Sequence, residues 1–108
     1  MDGDLTERPM HDLAIDKGQL AQFCRERHIR RLSLYGSTIK DTARPDSDID
    51  LLVEFERDSV PGLLALVTME AELGEMLGGR TVDLRTPRDL SPHFRDEVMR
   101  TAEIQYAA

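Results

Sequence analysis

The spacing of the hydrophobic residues along the chain predicts six secondary-structure elements. Some apolar residues recur three and four positions apart, as Leu20, Phe23 and Cys24 do, and this spacing is typical of an amphipathic helix. Other segments alternate apolar and polar residues, as half-buried strands do, because side chains two apart in a strand point to the same face. The predicted elements are, in order, a helix over 16–28, strands over 30–35 and 48–55, a helix over 63–77, a strand over 80–85 and a helix over 91–106.

Capping residues and a change in composition set the limits of this folded region. Asp16 begins the first helix as an N-cap, and Ser91 does the same for the last helix, where a proline follows in the first turn. The segment before the first helix is polar and lacks periodicity. We therefore expect a flexible arm over residues 1–13 and one domain over residues 14–108.

Length and composition limit the class of protein. A chain of 108 residues with 40% hydrophobic and 32% charged residues is typical of one small globular domain. A net charge of −7 argues against broad nucleic-acid binding, which needs a basic face. No apolar run is long enough to span a membrane, and the first residues lack the order of a signal peptide. With Cys24 as its single cysteine the chain has no intrachain disulfide, and we expect a cytoplasmic protein.

Acidic residues at the start of the second strand suggest a metal site. Asp48 and Asp50 lie two apart and are predicted to share one face of that strand. Two neighbouring carboxylates repel each other unless a cation lies between them, and Mg²⁺ binds such oxygens together with substrate phosphates. Asp83, on the third strand, would add a third carboxylate. The Gly36-Ser37 turn after the first strand offers backbone N–H groups that can bind phosphate oxygens.

These residues carry a family resemblance. Gly36-Ser37, ten intervening residues, Asp48-Ile49-Asp50 and a later strand acid resemble the signature of the polymerase-β-like nucleotidyltransferase superfamily. The shortness of the chain makes it similar to the minimal nucleotidyltransferases (MNT), the antitoxins that are paired with HEPN partners in toxin–antitoxin modules. By position, Gly36 and Ser37 match the family's nucleotide-binding pair, Asp48 and Asp50 its metal ligands, and Asp83 its third acid.

The resemblance implies both a fold and an activity. The implied fold is an α+β (α/β) nucleotidyltransferase fold, with a small mixed β-sheet packed against helices. The implied activity is transfer of AMP from Mg-ATP to a tyrosine hydroxyl of a HEPN-type ribonuclease toxin, which neutralises the toxin in a hetero-oligomer. Lys40 stands where relatives often carry an arginine, and we expect it to contact the triphosphate, although Asp41 adds a negative charge beside it.

Two other functions stay open on the sequence alone. The domain could neutralise its toxin by stoichiometric binding without chemistry, and the altered run after Ser37 favours this alternative. Transfer to a small molecule such as an aminoglycoside would need a second substrate-binding domain, for which this chain has no room, although a homodimer could build one. The basic cluster of Arg25, Arg27, Arg30 and Arg31 is interpreted as a solvated helix face rather than a contact with nucleotide or partner.

Overall fold

The computed structural model describes residue 13, residues 15–36 and residues 48–108. Within these ranges the chain forms helices on a four-stranded sheet, which has one strand more than the sequence predicts. The helices are α1 (Lys17–Glu26), α2 (Leu63–Met76), a 3₁₀ helix (Pro87–Asp89) and α3 (Pro92–Thr101). The strands are β1 (Ile29–Leu34), β2 (Ile49–Phe55), β3 (Val82–Arg85) and β4 (Glu103–Ala107).

The sheet is mixed, with the strand order β3-β2-β1-β4. β1 pairs antiparallel with both β2 and β4, whereas β2 and β3 pair parallel. A parallel pair needs a crossover connection, and α2 supplies it between β2 and β3. This architecture confirms the predicted α+β class with a small mixed sheet packed against helices.

The two faces of the sheet pack differently. One face carries the larger core, in which α1 and α2 cover the apolar side chains of the central strands. On the opposite face a smaller cluster forms around Tyr35 and Leu52, covered by Leu90 and by Val98 of α3. In β2, Leu51 and Val53 point to the larger core while Leu52 points to the smaller one, as the period of two requires. Asp50 shares the parity of Leu52, so it lies on the face that α3 covers.

The first helix begins as predicted and ends two residues early. The Asp16 side chain caps α1 by accepting a hydrogen bond of 3.1 Å from the Gln19 N–H group. The helix ends at Glu26 because His28 has a φ of 58°, a left-handed conformation that an α-helix cannot continue. Arg27, assigned from sequence to a solvated face, instead donates to the Glu72 carboxylate at 3.0 Å and so ties α1 to α2.

The prediction for the last helix was wrong over its second half. Phe94, Val98 and Ala102 recur at helical spacing, which extended the predicted helix to Tyr106. The helix ends at Thr101, and Ala102 adopts an extended ψ of 144°. The chain then forms β4, whose pairing gives the backbone of β1 hydrogen-bond partners on its second edge. A long-range pairing has therefore overridden a local helical pattern.

Only one end of the predicted N-terminal arm falls within the described residues. Leu13 is buried in the larger core, and its N–H group donates a hydrogen bond of 2.8 Å to the buried side chain of Gln105. Residues 1–12 lie outside the described residues. The division into an arm over 1–13 and a domain over 14–108 therefore stays a prediction.

Candidate active site

The parallel pairing of β2 with β3 brings two of the predicted acids together. Asp50 and Asp83 are direct register partners across the two strands. Paired strands lie about 4.8 Å apart, and register partners point to the same face. Both side chains are partly buried on the face that α3 covers. The fold thus sets an acid of β2 beside an acid of β3, where two like charges would repel each other.

Gly36 fits against one of these acids. The β1 strand reaches the site through Tyr35, whose N–H group donates a hydrogen bond of 3.2 Å to the Asp50 carbonyl oxygen. Gly36 follows with a φ of 74°, a conformation that favours glycine. A Cβ atom at this position would lie 2.6 Å from Oδ2 of Asp50, closer than any ordinary contact. The glycine is therefore required for both its conformation and its missing side chain.

The acids lie in a pocket of about 350 Å³ at this edge of the sheet. This volume falls in the range of small-molecule sites. The lining combines acidic, aromatic and backbone groups with one arginine. It is formed by Tyr35, Gly36, Asp50, Asp83, Arg85, Asp89, Leu90, Ser91 and Phe94. A larger cavity of about 410 Å³ lies between α2 and the start of β3, away from the paired acids.

The pocket has a strongly negative field. The pKa of the Tyr35 hydroxyl is raised to about 12, first by burial and then by the neighbouring carboxylates of Asp50, Asp83 and Asp89. Arg85 partly offsets this field, because its Nε lies 3.3 Å from both carboxylate oxygens of Asp83. The carboxylate of Asp83 in turn raises the pKa of Arg85. A cation bound beside these acids would remove the same repulsion.

The donor set fits a hard divalent cation. Carboxylate oxygens are the ligands that Mg²⁺ prefers, and Asp50 and Asp83 present them side by side where Gly36 leaves room. Among the described residues, no three or more histidine, cysteine, aspartate or glutamate side chains are close enough together to form a metal cluster. The arrangement is thus that of two acidic ligands, and Asp83 is also hydrogen-bonded to Arg85. Mg²⁺ usually completes its shell with water and substrate phosphates, so two carboxylates meet its needs.

The other predicted site residues lie apart from this pair or beyond the described ranges. Asp48 is exposed just before β2 and does not line the pocket. Ser37 and Lys40 lie outside the described residues. The roles assigned to these three residues therefore rest on the family resemblance alone.

The sequence prediction missed several residues that line the pocket. Arg85 could have been placed there, because it lies two residues from Asp83 and so shares its face of β3. Tyr35 and Phe94 meet edge to face, with ring centroids 6.4 Å apart. Nothing local in the sequence links these two rings. Only the packing of α3 on the sheet brings them together.

Comparison with known proteins assigns the fold to a family. The family model for the nucleotidyltransferase domain matches residues 17–104, which include both paired acids and Gly36. The chain belongs to the nucleotidyltransferase domain family. The match confirms the resemblance read from Gly36-Ser37 and the acids of β2.

Two archaeal proteins are similar to this nucleotidyltransferase over most of its length. Protein adenylyltransferase MntA of Thermococcus cleftensis is 38% identical over 72 residues, which are 67% of this chain and 70% of that protein. A Methanocaldococcus jannaschii protein, provisionally named protein adenylyltransferase MJ0435, is 36% identical over 74 residues, covering 68% and 76% of the two chains. Both relatives are thus named as enzymes that adenylylate proteins.

Solved structures show the same fold. One provisionally described as a minimal nucleotidyltransferase is 35% identical, has a TM-score of 0.64, and aligns over 80% of this chain and 85% of that one. A toxin–antitoxin structure with AMP-PNP has a TM-score of 0.68 over 87% of this chain and 75% of that one. At 20% identity the second likeness concerns the fold alone. The α+β nucleotidyltransferase fold is therefore established for this chain.

No helix within the described residues is long and apolar enough to cross a membrane.

Proposed function

We propose that this nucleotidyltransferase is an antitoxin that transfers AMP from Mg-ATP to a tyrosine hydroxyl of a partner HEPN-type ribonuclease toxin and so neutralises it. Relatives at 36–38% identity are named protein adenylyltransferases, which supports a protein as the acceptor. The fold is similar to chains of toxin–antitoxin structures, which supports a toxin as that protein. Mg²⁺, ATP and the tyrosine acceptor follow from the family resemblance.

The observation that carries the proposal is the pairing of Asp50 with Asp83 beside Gly36. The pocket puts two hard oxygen ligands next to Gly36, which lines the same pocket. A nucleoside triphosphate is strongly anionic. The carboxylates of the pocket would repel it unless a cation binds with it. The metal and the nucleotide are thus expected to bind together.

Catalysis of AMP transfer depends mainly on positioning the reactants and neutralising the charge on the phosphates. Mg²⁺ bound at Asp50 and Asp83 would neutralise the phosphate oxygens and the charge that develops on the leaving group. A bond forms between the acceptor hydroxyl oxygen and the α-phosphorus, and the bond from that phosphorus to pyrophosphate breaks. The acceptor proton leaves through a carboxylate, for which Asp83 is placed on the pocket wall. Asp48 and the Gly36-Ser37 turn would hold the metal and the phosphates by their positions in the family motif.

The direct test is the intact mass of the toxin after incubation with this protein, MgCl₂ and ATP. The proposal expects the toxin to gain one or more AMP groups on tyrosine, and it expects no gain with the Asp48→Asn/Asp50→Asn variant. The control variant Glu56→Gln removes an exposed carboxylate just after β2 and should leave transfer unchanged. Full transfer by the double variant would exclude these acids from the reaction.

A second function, neutralisation by binding alone, is favoured by one contact. Arg85 Nε donates to both carboxylate oxygens of Asp83 at 3.3 Å, so a side chain of the protein itself can balance the charge of this acid. The same mass measurement distinguishes the two functions. A stable complex in which the toxin mass never changes, whichever nucleoside triphosphate is added, would leave binding as the function.

A further inference from the structure

The most exposed apolar side chains of the described residues lie on one side of α2. Leu63, Leu64 and Val67 are 76%, 84% and 52% exposed, and Val60 just before the helix is 68% exposed. Ala71, one turn after Val67, is exposed as well. We call Leu63, Leu64, Val67 and Ala71 the α2 face. A contiguous apolar surface of this kind is typical of a protein interface.

The helix that carries this face is apolar on both sides. Its inner side packs Met69 and Leu73 into the larger core of the sheet. A surface helix of a globular protein normally turns a polar side to water, and a helix that is apolar all round is normally covered on all sides. Because the sheet covers only the inner side of α2, the outer side has the composition of a surface that a partner covers.

The charged residues of α2 itself are all acidic, and Arg80 after the helix is the one basic residue that lines the adjoining groove. From Gly62 to Gly79 the sequence holds three glutamates and no lysine or arginine. Glu72 is paired with Arg27, and Glu70 accepts a hydrogen bond from the Leu84 N–H group, but Glu75 is exposed in the last turn. The C-terminal end of a helix is itself negative, and α2 has no basic residue in its last turn to offset it. A ligand with basic groups therefore suits this surface.

We propose that the α2 face binds an amphipathic helix of the partner toxin, with apolar residues on one side and lysine or arginine along its edges. This proposal rests on the proposed function for the identity of the partner. A groove continues the face from Val67 and Ala71 toward Val82 at the start of β3, and its lining also includes Glu70, Glu75 and Arg80. The paired acids Asp50 and Asp83 lie on the opposite face of the sheet. Docking and chemistry thus use separate surfaces.

Two other occupants fit the charge less well. In a second copy of the chain packed parallel along this helix, glutamates would oppose glutamates, and in an antiparallel copy Glu75 would face the leucines of the other helix. The first twelve residues of the chain carry four acids and one arginine, so they add negative charge to a negative surface. Apolar side chains with basic neighbours match the α2 face better than either.

The test uses a labelled helical peptide of about 18 residues, or five turns, with leucine on one side and lysine on the other. A matched peptide carries glutamate in place of lysine. Fluorescence anisotropy is expected to show binding of the leucine–lysine peptide to the full chain, at least about tenfold tighter than the glutamate peptide. The Leu63→Ser/Leu64→Ser variant should lose about tenfold or more in affinity for the lysine peptide.

Matched variants separate this proposal from nonspecific attraction and from the proposed function. Ile104→Ser/Met99→Ser removes two exposed apolar side chains elsewhere and should keep full peptide affinity. Asp50→Asn should weaken nucleotide binding while leaving peptide binding intact. Leu63→Ser/Leu64→Ser should weaken peptide binding while leaving nucleotide binding intact. Because both leucines are exposed, the Leu63→Ser/Leu64→Ser variant should fold as the wild type does. An unchanged thermal unfolding midpoint of the variant checks this.

The outcomes that overturn the proposal are equally specific. Equal affinity of the lysine peptide for wild type and Leu63→Ser/Leu64→Ser would show that the α2 face is not the binding surface. A concentration-dependent dimer that disappears in this variant would assign the face to a second copy. With the toxin itself, AMP transfer that survives the leucine variant while a stable complex is lost would support separate docking and chemical surfaces. Unchanged complex formation would refute it.

Discussion

Gly36→Ala perturbs the candidate site at one atom, and the structure sets the size of the effect. The left-handed φ of 74° costs a residue with a side chain about 1–2 kcal/mol. The new Cβ would also lie 2.6 Å from Oδ2 of Asp50, so that carboxylate would have to retreat by about 0.8 Å to restore ordinary contact at 3.4 Å. A misplacement of about 1 Å at a reacting centre lowers rates on the order of 100-fold.

A second glycine separates the two contributions. Gly78 has a φ of 76° and nothing within 4 Å of its Cβ position, so Gly78→Ala carries the conformational cost without the contact. In urea titrations Gly78→Ala should lose about 1–2 kcal/mol of unfolding free energy, and Gly36→Ala should lose at least as much because the contact with Asp50 adds to the conformational cost. Only Gly36→Ala should weaken binding of a fluorescent ATP analogue in MnCl₂ and lower kcat/KM for AMP transfer, by about 10- to 100-fold. Equal nucleotide binding by the two variants would refute the argument that Gly36 makes room for Asp50.

Three further predictions concern Arg85, Tyr35 and Cys24. Arg85→Gln removes the guanidinium from the Asp83 carboxylate, so affinity for Mn²⁺ without nucleotide should rise several-fold by calorimetry, and an unchanged or lower affinity would contradict this. Tyr35 has a pKa raised from 10.0 to about 12, so its contribution to stability is complete below pH 10 and is lost toward pH 12. Tyr35→Phe should therefore flatten the alkaline fall in unfolding free energy between pH 10 and 12, and a parallel fall in both proteins would count against this assignment. Burial raises the pKa of the Cys24 thiol to about 12, so its reaction with a disulfide reagent at pH 8 should be far slower than in the urea-unfolded chain, and equal rates would contradict its burial.

Local patterns were sufficient to predict most of the fold. The alternation of apolar and polar residues over 30–35 and 48–55 predicts β1 and β2. Side chains two apart in a strand share a face, so a strand that buries one face has an apolar residue at every second position. The strand β4 was missed because its partner β1 lies some 70 residues earlier in the chain. No local sequence pattern predicts a pairing between segments that far apart. The helical spacing of apolar residues from Phe94 to Ala102 extended the predicted helix into residues 103–106, which form part of β4.

The site divides in the same way between local and long-range information. Asp50 and Asp83 could be selected because Gly36-Ser37, the spacing to Asp48-Ile49-Asp50 and a later acid on a strand together resemble the family signature. Their direct pairing depends on the parallel register of β2 and β3, which only the folded chain shows. Tyr35 and Phe94 reach the pocket through the packing of α3, and their role was therefore invisible in the sequence.

The central claim is that the paired acids of β2 and β3 hold a divalent cation together with a nucleotide. Isothermal titration of Mn²⁺ into the protein with a non-hydrolysable ATP analogue tests it without any partner. We expect binding in wild type that is tighter with the nucleotide than without it, and loss of both signals in Asp50→Asn/Asp83→Asn with an unchanged fold. Mn²⁺ binding of equal affinity in that variant would place the metal elsewhere and contradict the account.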